Sequence, residues 1–259
     1  MDGEPGLILL GYGVSDTLQL TIEAQRVINR VGKVYGLRIP ANLKRLLRAQ
    51  RVDFLDLADR FSAGRPYADA YLDVAEFVLR RTAEEKPVVV LSQGSPLYLN
   101  ALNRFLMQQA RTRGIATQVL PGVSPFDVIV SDLGLDIGTF GLQLFDARRL
   151  VSRQQQINPH VPLLVLQPAG FEEQTVANGD GAKAKDYGAL VDYLRRFYEA
   201  EQPITLINLN DSGAAPTKGT VTLARFDELV SHVDASSSLY IGAVQHVGPG
   251  AGAAPEGGR

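Results

Sequence analysis

The stretch from Val88 to Leu99, VVVLSQGSPLYL, limits the possible folds of this chain more than any other. It begins with an apolar run that leads directly into a turn containing Gly94, Ser95 and Pro96. A short apolar run that ends in turn residues predicts a strand buried on both faces, as in a parallel sheet. Such sheets bind ligands at the carboxyl ends of their strands. The loop after Leu91 is therefore a candidate binding loop, although the pattern also fits an ordinary strand-to-helix turn.

Composition argues against several classes of partner. The chain has 26 Lys and Arg against 28 Asp and Glu, so no net positive charge favours binding to nucleic acid. It has no Cys, and its three histidines, His160, His232 and His246, are too scattered for a metal site. No apolar run approaches the roughly 18 residues of a membrane helix, and the acidic start does not resemble a signal peptide. We therefore expect a cytoplasmic protein without nucleic acid, membrane or metal partners.

A second candidate loop follows the apolar run from Leu7 to Leu10, which predicts another buried strand. This loop contains Gly11 and Gly13, as a dinucleotide-binding fingerprint would. However, the position of the third glycine holds Asp16, and no acidic residue ends the next predicted strand, Lys33 to Ile39. These departures from the fingerprint argue against NAD binding.

The next elements continue an alternation of strands and helices. The helix predicted from Asn42 to Arg51 is amphipathic and basic, and we interpret its charges as a solvated face, with anion binding as the alternative. The helix predicted from Asp69 to Glu85 takes Asp69 as its N-cap. The other elements predicted here are a helix from Thr21 to Gly32, strands Val52 to Ala58 and Ile115 to Leu120, and a helix through Leu102 and Ala110 that stops at Gly114.

The start of one further helix is specified by local chemistry. Ser124 is a favourable N-cap, Pro125 suits the first helical position, and Asp127 stands where a capping box places its acid. This helix is expected to end at Gly134. The backbone N–H groups at such a start fit a ligand carboxylate or hydroxyl, or they serve only to cap the helix. The residues leave both interpretations open.

From about Ile137, strands outnumber helices, which indicates a second α/β domain with a mixed sheet. We therefore predict an α/β protein with a parallel-sheet domain over residues 1–136, a second domain over residues 137–246 and a disordered tail over residues 247–259. Residues 172–185 are predicted to form a mobile loop. The predicted strands of the second domain are Leu142 to Phe145, Leu163 to Leu166, Ile204 to Asn208, Thr220 to Leu223 and Ser238 to Val244, and its clearest helix is Tyr187 to Tyr198.

In their order and spacing, these motifs resemble the tetrapyrrole methylase superfamily of S-adenosylmethionine-dependent methyltransferases. Within it, the chain is most similar to the peptide backbone α-N-methyltransferases that make borosins. The resemblance implies a two-domain enzyme that holds S-adenosyl-L-methionine in a crevice between the domains, and it implies a homodimer. The segments that carry it are Gly6 to Gly13, Leu20 to Ala24, Gly94 to Tyr98, Leu120 to Ser124, Ser131 to Asp136 and Leu144 to Ala147.

The resemblance also implies a set of cofactor contacts. The residue types agree with the ligand, because adenosine and the methionine head need backbone donors, hydroxyls and an amide rather than catalytic acids. Without the resemblance, we would interpret the three implied contacts in the second domain, Gln167, Ser237 and Ser238, as ordinary polar residues at strand edges. The implied contacts are Gln93, Gly94, Ser95, Tyr98 and Leu99 in the first loop, Ser124 at the helix start, and Gln167, Ser237 and Ser238 in the second domain.

The match is incomplete at the implied catalytic residues. In the borosin enzymes, an arginine and tyrosines near one helix start are thought to help an amide nitrogen lose its proton and present it to the methyl group. Tyr71 matches one of these tyrosines. Tyr67 occupies the position where the arginine is expected, and Phe61 occupies the position of an upstream tyrosine. Arg65 lies two residues from the expected arginine. We therefore expect Tyr71 to act on the substrate side, with Tyr67, Arg65 and Tyr12 around it.

Three functions follow from these observations. The favoured one is methylation of backbone amides in a peptide supplied in trans, because the Gly-rich tail after Val247 is too short to be a substrate extension. The second is methylation of a tetrapyrrole or another small molecule. The third is a binding module that keeps the fold and has lost catalysis along with the arginine.

Overall fold

The computed structural model of the protein describes residues 4–61, 64–171 and 186–244. The predicted mobile loop at residues 172–185 and the predicted tail at residues 247–259 lie outside these ranges. The helices are α1 (Ile22–Val31), α2 (Ala41–Ala49), α3 (Tyr67–Arg81), α4 (Ala101–Thr112), α5 (Pro125–Leu133), α6 (Ile137–Phe140), α7 (Ala147–Ser152) and α8 (Gly188–Leu194). The strands are β1 (Leu7–Gly11), β2 (Lys33–Gly36), β3 (Asp53–Asp56), β4 (Val88–Ser92), β5 (Thr117–Leu120), β6 (Gln143–Asp146), β7 (Leu163–Leu166), β8 (Pro203–Asn208), β9 (Thr217–Thr222) and β10 (Ser237–Ile241).

The first sheet has the strand order β3-β2-β4-β1-β5, and its strand pairs are parallel. Every residue of β4 is buried, which confirms the prediction that this strand is covered on both faces. Successive side chains of β1 point to opposite faces of the sheet. Leu9 packs with Val74 of α3 on one face, whereas Leu10 packs with Ile28 of α1 on the other. Helices therefore cover both faces and leave the ends of the strands for the loops.

The second sheet has the strand order β6-β7-β10-β8-β9. The pair β6 and β7 is parallel, whereas β10 runs antiparallel to both β7 and β8. The predicted mixed sheet is therefore confirmed. Its apolar core joins Leu163 and Leu239 of the sheet to Leu194 and Phe226 outside it.

The described residues divide into two compact units. The first comprises residues 4–135 together with 209–217, and the second comprises residues 136–171, 186–208 and 218–244. The first unit holds the parallel sheet and the second holds the mixed sheet. No helix in the described ranges is both long enough and apolar enough to cross a membrane.

The ends of α1 and α5 follow the predicted capping chemistry. The Thr21 hydroxyl accepts a hydrogen bond from the Ala24 N–H, and Gly32 ends α1 with a left-handed φ of 69°. Ser124 and Asp127 form the predicted capping box at the start of α5. Local side-chain chemistry was therefore sufficient to locate these boundaries.

The predicted start of α3 was wrong by two residues. Pro66 is the N-cap, α3 begins at Tyr67, and Asp69 lies within the first turn. An acidic side chain stabilises a helix both at the N-cap and in the first turn, because it interacts favourably with the helix N-terminus from either position. The presence of Asp69 therefore does not show which of the two positions it occupies. The extended conformation of Pro66, with ψ of 137°, stops the helix from starting earlier.

Candidate active site

Three glycines bring three loops together at the carboxyl edge of the first sheet. They are Gly11 at the end of β1, Gly94 after β4 and Gly122 after β5. A β-carbon on Gly11 would collide with the Gly94 carbonyl oxygen and would lie 2.7 Å from the Gly122 amide nitrogen. A β-carbon on Gly122 would lie 2.7 Å from the same Gly94 oxygen. Glycine is therefore required for this close backbone approach, which forms one continuous rim.

The first of these loops has its amide groups occupied by the protein itself. The Val14 and Ser15 N–H groups donate to Gln19 Oε1 at 2.7 and 3.0 Å. Gly94 donates its N–H to the Gly13 carbonyl at 2.8 Å, which joins this loop to the one after β4. A dinucleotide phosphate would need free N–H groups at such a loop. Their use by Gln19 agrees with the departure of this loop from the fingerprint.

The loop after β4 contains five of the implied cofactor contacts. Gly94 has a φ of 69° and Leu99 a φ of 52°, so both adopt the left-handed conformation. The Tyr98 N–H donates to the Ser95 carbonyl at 3.1 Å. Gln93 is exposed, and its Nε2 lies 3.5 Å from the Val14 carbonyl oxygen. A non-glycine residue such as Leu99 in this conformation stores backbone strain, which is common at binding sites.

Tyr98 presents a buried polar atom that lacks a partner. Its hydroxyl makes no hydrogen bond within the described part of the chain. Burial raises the pKa of this phenol well above its ordinary value, and the charge of Asp127 raises it further. A buried, protonated hydroxyl without a partner costs free energy unless a ligand supplies one. Tyr98 therefore fits the role of a ligand-binding hydrogen-bond donor.

Ser124 is buried at the start of α5, and its hydroxyl donates to Asp127 Oδ2 at 2.7 Å. The Ser124 N–H donates to the same carboxylate oxygen at 2.7 Å. The Ser124 N–H and hydroxyl therefore both take part in capping the helix, although the sequence analysis also considered them as ligand contacts. A cofactor contact by Ser124 stays a prediction.

Tyr71 is half-buried in a cluster of aromatic rings near the start of α3. Its ring centroid lies 5.7 Å from that of Phe61, 5.8 Å from that of Tyr67 and 6.1 Å from that of Phe105. The Tyr67 and Tyr71 rings stack with 22° between their planes. The structure therefore brings Tyr67 and Tyr71 together, as expected, and surrounds them with two phenylalanines.

The pKa of the Tyr71 phenol lies above its ordinary value. Burial is the largest cause and Tyr67 adds to it, whereas the positive charges of Arg104 and Arg38 lower the pKa. The phenol therefore stays protonated at neutral pH and can donate a hydrogen bond. Arg38 follows β2 with a φ of 54°, and its N–H donates to Asp56 Oδ1 at 2.9 Å.

Arg65 forms an ion pair with a residue of α3. Its Nη1 atom pairs with Asp73 Oδ2 at 2.6 Å. Tyr71 and Asp73 are two residues apart on α3, so their side chains leave the helix about 200° apart. The structure therefore shows the Arg65 guanidinium paired with a carboxylate, and a role for Arg65 beside Tyr71 stays a prediction.

Tyr12 does not join the cluster either. It is 3% exposed and packs with the apolar side chains on the α1 side of the sheet, including Leu10 and Ile28. Tyr71 packs with the cluster on the opposite face, which includes Leu9. The structure therefore packs Tyr12 and Tyr71 into different apolar clusters, and a role for Tyr12 beside Tyr71 stays a prediction.

The three implied contacts in the second unit differ in environment. Gln167 follows β7, is exposed and has a left-handed φ of 54°. Ser237 and Ser238 are buried on β10. The Ser237 hydroxyl donates to Asn208 Oδ1 at 2.6 Å and accepts the Asp234 N–H at 2.8 Å, so it serves the fold of this unit. Cofactor binding by these residues stays a prediction.

The sequence analysis did not identify one buried residue beside the loop after β4. Asn103 on α4 is fully buried, and its Nδ2 donates to both Ser92 Oγ and the Pro96 carbonyl at 2.7 Å. Helical spacing from Leu106 places position 103 on the apolar face of α4. A polar residue on that face was the signal that could have identified it.

The described residues contain no cluster of His, Asp and Glu suited to a metal ion.

Methyltransferases that are also cyclic peptide precursors are among the relatives in sequence. The chain is 26% identical over 239 residues to the methyltransferase and cyclic peptide omphalotin A precursor of Omphalotus olearius, covering 91% of this chain and 57% of that protein. It is 26% identical over 245 residues to the corresponding dendrothelin A precursor of Dendrothele bispora, covering 92% of this chain and 58% of that protein. The chain therefore spans less than two thirds of the length of these relatives.

Solved structures share the fold. Uroporphyrin-III C-methyltransferase from Thermus thermophilus, complexed with S-adenosylhomocysteine, aligns with a TM-score of 0.63 at 15% identity over 93% of this chain and 97% of that one. The methyltransferase CobJ aligns with a TM-score of 0.61 at 15% identity over 94% of this chain and 97% of that one. The family model of the tetrapyrrole (corrin/porphyrin) methylases matches residues 6–173. This chain belongs to the tetrapyrrole methylase family.

Proposed function

We propose that this protein transfers a methyl group from S-adenosyl-L-methionine to backbone amide nitrogens of a peptide. The observation that carries the proposal is the loop after β4, where Gly94 closes a glycine rim and Tyr98 holds a buried hydroxyl without a partner. Membership of the methylase family and similarity to peptide-modifying relatives support it.

The residues of the first unit fit the cofactor. Tyr98 offers a protonated hydroxyl, Gln93 offers an exposed amide, and Gly94 between them lets the loop pack closely against Pro125. When bound, S-adenosylmethionine supplies a methyl group activated by its positively charged sulfur. The chain supplies hydrogen bonds and shape at this site, and no charged catalytic group is required there.

Tyr71 acts on the acceptor. An amide nitrogen becomes nucleophilic as it gives up its proton to water, and negative charge then develops on the carbonyl oxygen. The nitrogen forms its bond to the methyl carbon as the bond between that carbon and sulfur breaks, and S-adenosylhomocysteine is the leaving group. A protonated phenol that donates to this oxygen stabilises the charge, as a donor in an oxyanion hole does. Phe61, Tyr67 and Phe105 hold the Tyr71 ring in place. Alignment of the nitrogen with the methyl carbon supplies a further part of the rate.

A mass-spectrometric assay tests this function. The purified chain is incubated with S-adenosylmethionine that carries a deuterated methyl group, with and without a candidate peptide. Fragmentation then locates any added methyl group. We expect the label on backbone nitrogens of the added peptide, and label on the enzyme itself would indicate an acceptor within the chain. No label on any peptide, with a tetrapyrrole labelled in parallel, would contradict the proposal.

Methylation of a tetrapyrrole carbon is the second candidate, and membership of the family favours it. An electron-rich ring carbon is a better nucleophile than an amide nitrogen, so it needs no help from Tyr71 in losing a proton first. The presence of Tyr67 where the resemblance implies an arginine is compatible with such an acceptor. Full activity of Tyr71→Phe on a verified substrate would favour this candidate.

We also propose a homodimer in the cytoplasm. The family resemblance implies the dimer, and composition predicts the location. Leu18 and Ile22 are 73% and 71% exposed, and large apolar side chains at the surface suit an interface. Light scattering at micromolar concentration tests the assembly, and a monomer mass would contradict it.

A further inference from the structure

We infer that Asn103 is a positioning residue that holds the loop after β4 in its ligand-binding conformation; this inference rests on the proposed cofactor site. The Asn103 side chain joins two points that the loop separates. Its Nδ2 donates at 2.7 Å to Ser92 Oγ at the end of β4 and at 2.7 Å to the Pro96 carbonyl in the loop.

The bonds of Asn103 complete a set of restraints on the loop. At one end, Gly94 donates to the Gly13 carbonyl at 2.8 Å. At the other end, the backbone N–H of Tyr98 donates to the Ser95 carbonyl at 3.1 Å. The Asn103 side chain fixes the carbonyl of Pro96 between these two bonds and ties it to the strand. Without this clamp, the middle of the loop would lose its connection to the sheet.

Packing alone does not explain an asparagine at this position. Asn103 is fully buried, and its Oδ1 has no hydrogen-bond partner among the described residues. A buried, unpaired carbonyl costs free energy that an apolar side chain of similar size would avoid. Neighbours Leu102 and Leu106 show that this side of α4 accepts apolar side chains. The two bonds from Nδ2 are the feature that leucine cannot supply.

Asn100 on the same helix provides a matched control. Its Oδ1 accepts the Asn103 N–H at 3.0 Å, so it caps α4 and makes no bond to the loop carbonyl of Pro96. Asn100→Ala therefore weakens the helix start and leaves the clamp in place. Comparison of the two positions separates helix stability from loop position.

The experiment uses Asn103→Leu, Asn103→Asp and Asn100→Ala in the full chain. Isothermal titration calorimetry measures the affinity for S-adenosylhomocysteine, and hydrogen exchange follows the Gly94 and Tyr98 amides. Asn103→Asp keeps the size of the side chain and removes the NH2 donor, so it gives a result if the leucine variant fails to fold. Thermal unfolding establishes that each variant is folded.

We expect both Asn103 variants to bind S-adenosylhomocysteine at least about tenfold more weakly, with faster exchange in the loop, because the two hydrogen bonds that the buried Asn103 amide donates are lost. Asn100→Ala should lower the melting temperature and keep nearly wild-type affinity. Wild-type affinity in the Asn103 variants, or an equal loss in Asn100→Ala, would overturn the inference. If the wild-type chain itself binds no S-adenosylhomocysteine, the proposed function fails, and unchanged loop exchange would then also overturn the clamp.

Discussion

The rings of Tyr67 and Tyr71 stack one helical turn apart on α3, with their centroids 5.8 Å apart. The family resemblance implies an arginine at the position of Tyr67. In this chain an aromatic ring fills that position and supports Tyr71 by packing instead of by charge. The positive charges that lower the pKa of the Tyr71 phenol are those of Arg104 on α4 and Arg38 after β2.

Replacement of Tyr71 by phenylalanine tests its proposed role. The ring packing remains and only the hydroxyl is lost, so affinity for S-adenosylhomocysteine should stay nearly unchanged. Turnover on a verified peptide should fall roughly 100-fold or more, the range for loss of one hydrogen-bond donor to a developing oxyanion. Steady-state kinetics and calorimetry measure the two effects separately. Full turnover would contradict the amide mechanism.

Removal of the positive charge of Arg104 or Arg38 should raise the pKa of the Tyr71 phenol further. A cation stabilises the phenolate, so its loss favours the protonated form. The ultraviolet titration of Arg104→Gln or Arg38→Gln, each compared with the same variant carrying Tyr71→Phe, isolates this phenol. Arg65→Gln is the control and should leave the titration unchanged. Equal titration of all three arginine variants would show that the charges do not reach Tyr71.

Arg65→Ala should leave turnover within about twofold of wild type, because the guanidinium pairs with Asp73 at 2.6 Å. This ion pair is partly exposed, and such pairs contribute only about 0 to 1 kcal/mol. The melting temperature should therefore change little. A loss of turnover comparable with that of Tyr71→Phe would mean that Arg65 reaches the substrate when the acceptor binds.

The turn that carries Arg38 should weaken in acid. Burial alone would raise the pKa of Asp56, but hydrogen bonds from Lys44 and from the Ala58 and Arg38 N–H groups lower the pKa below its ordinary value. The carboxylate therefore stabilises the fold above the unfolded pKa of about 3.9, and its contribution is lost as the pH falls through the lower folded value.

Asp56→Ala should reduce the free energy of unfolding by about 1 to 2 kcal/mol at pH 7, since charged hydrogen bonds are lost. Denaturant unfolding at several pH values measures this difference. The gap between variant and wild type should narrow below about pH 4, where the wild-type carboxylate also becomes protonated. A gap that is constant down to pH 2 would mean that the charge of Asp56 is not involved.

Local chemistry allowed much of the fold to be predicted, whereas contacts between residues far apart in the sequence could not be predicted from it. Ser124, Pro125 and Asp127 act on their own helix start, so their roles follow from spacing alone. The face on which Tyr12 packs could not be predicted, because β1 is apolar on both faces and its pattern does not show on which face the next residue lies. Asn103 was missed because its two bonds reach the end of β4 and the loop, and such contacts exist only in the folded chain.

Binding of S-adenosylhomocysteine to Gly94→Val and Gly32→Val tests the central claim that the loop after β4 holds the cofactor. Both glycines have a φ of 69°, so the two variants carry the same backbone strain. A β-carbon at Gly94 would lie 2.9 Å from Pro125 Cδ, whereas nothing lies within 4 Å of one at Gly32. Calorimetry should show binding by the wild-type chain and by Gly32→Val, and none by a folded Gly94→Val. Normal binding by Gly94→Val would show that the cofactor site lies elsewhere.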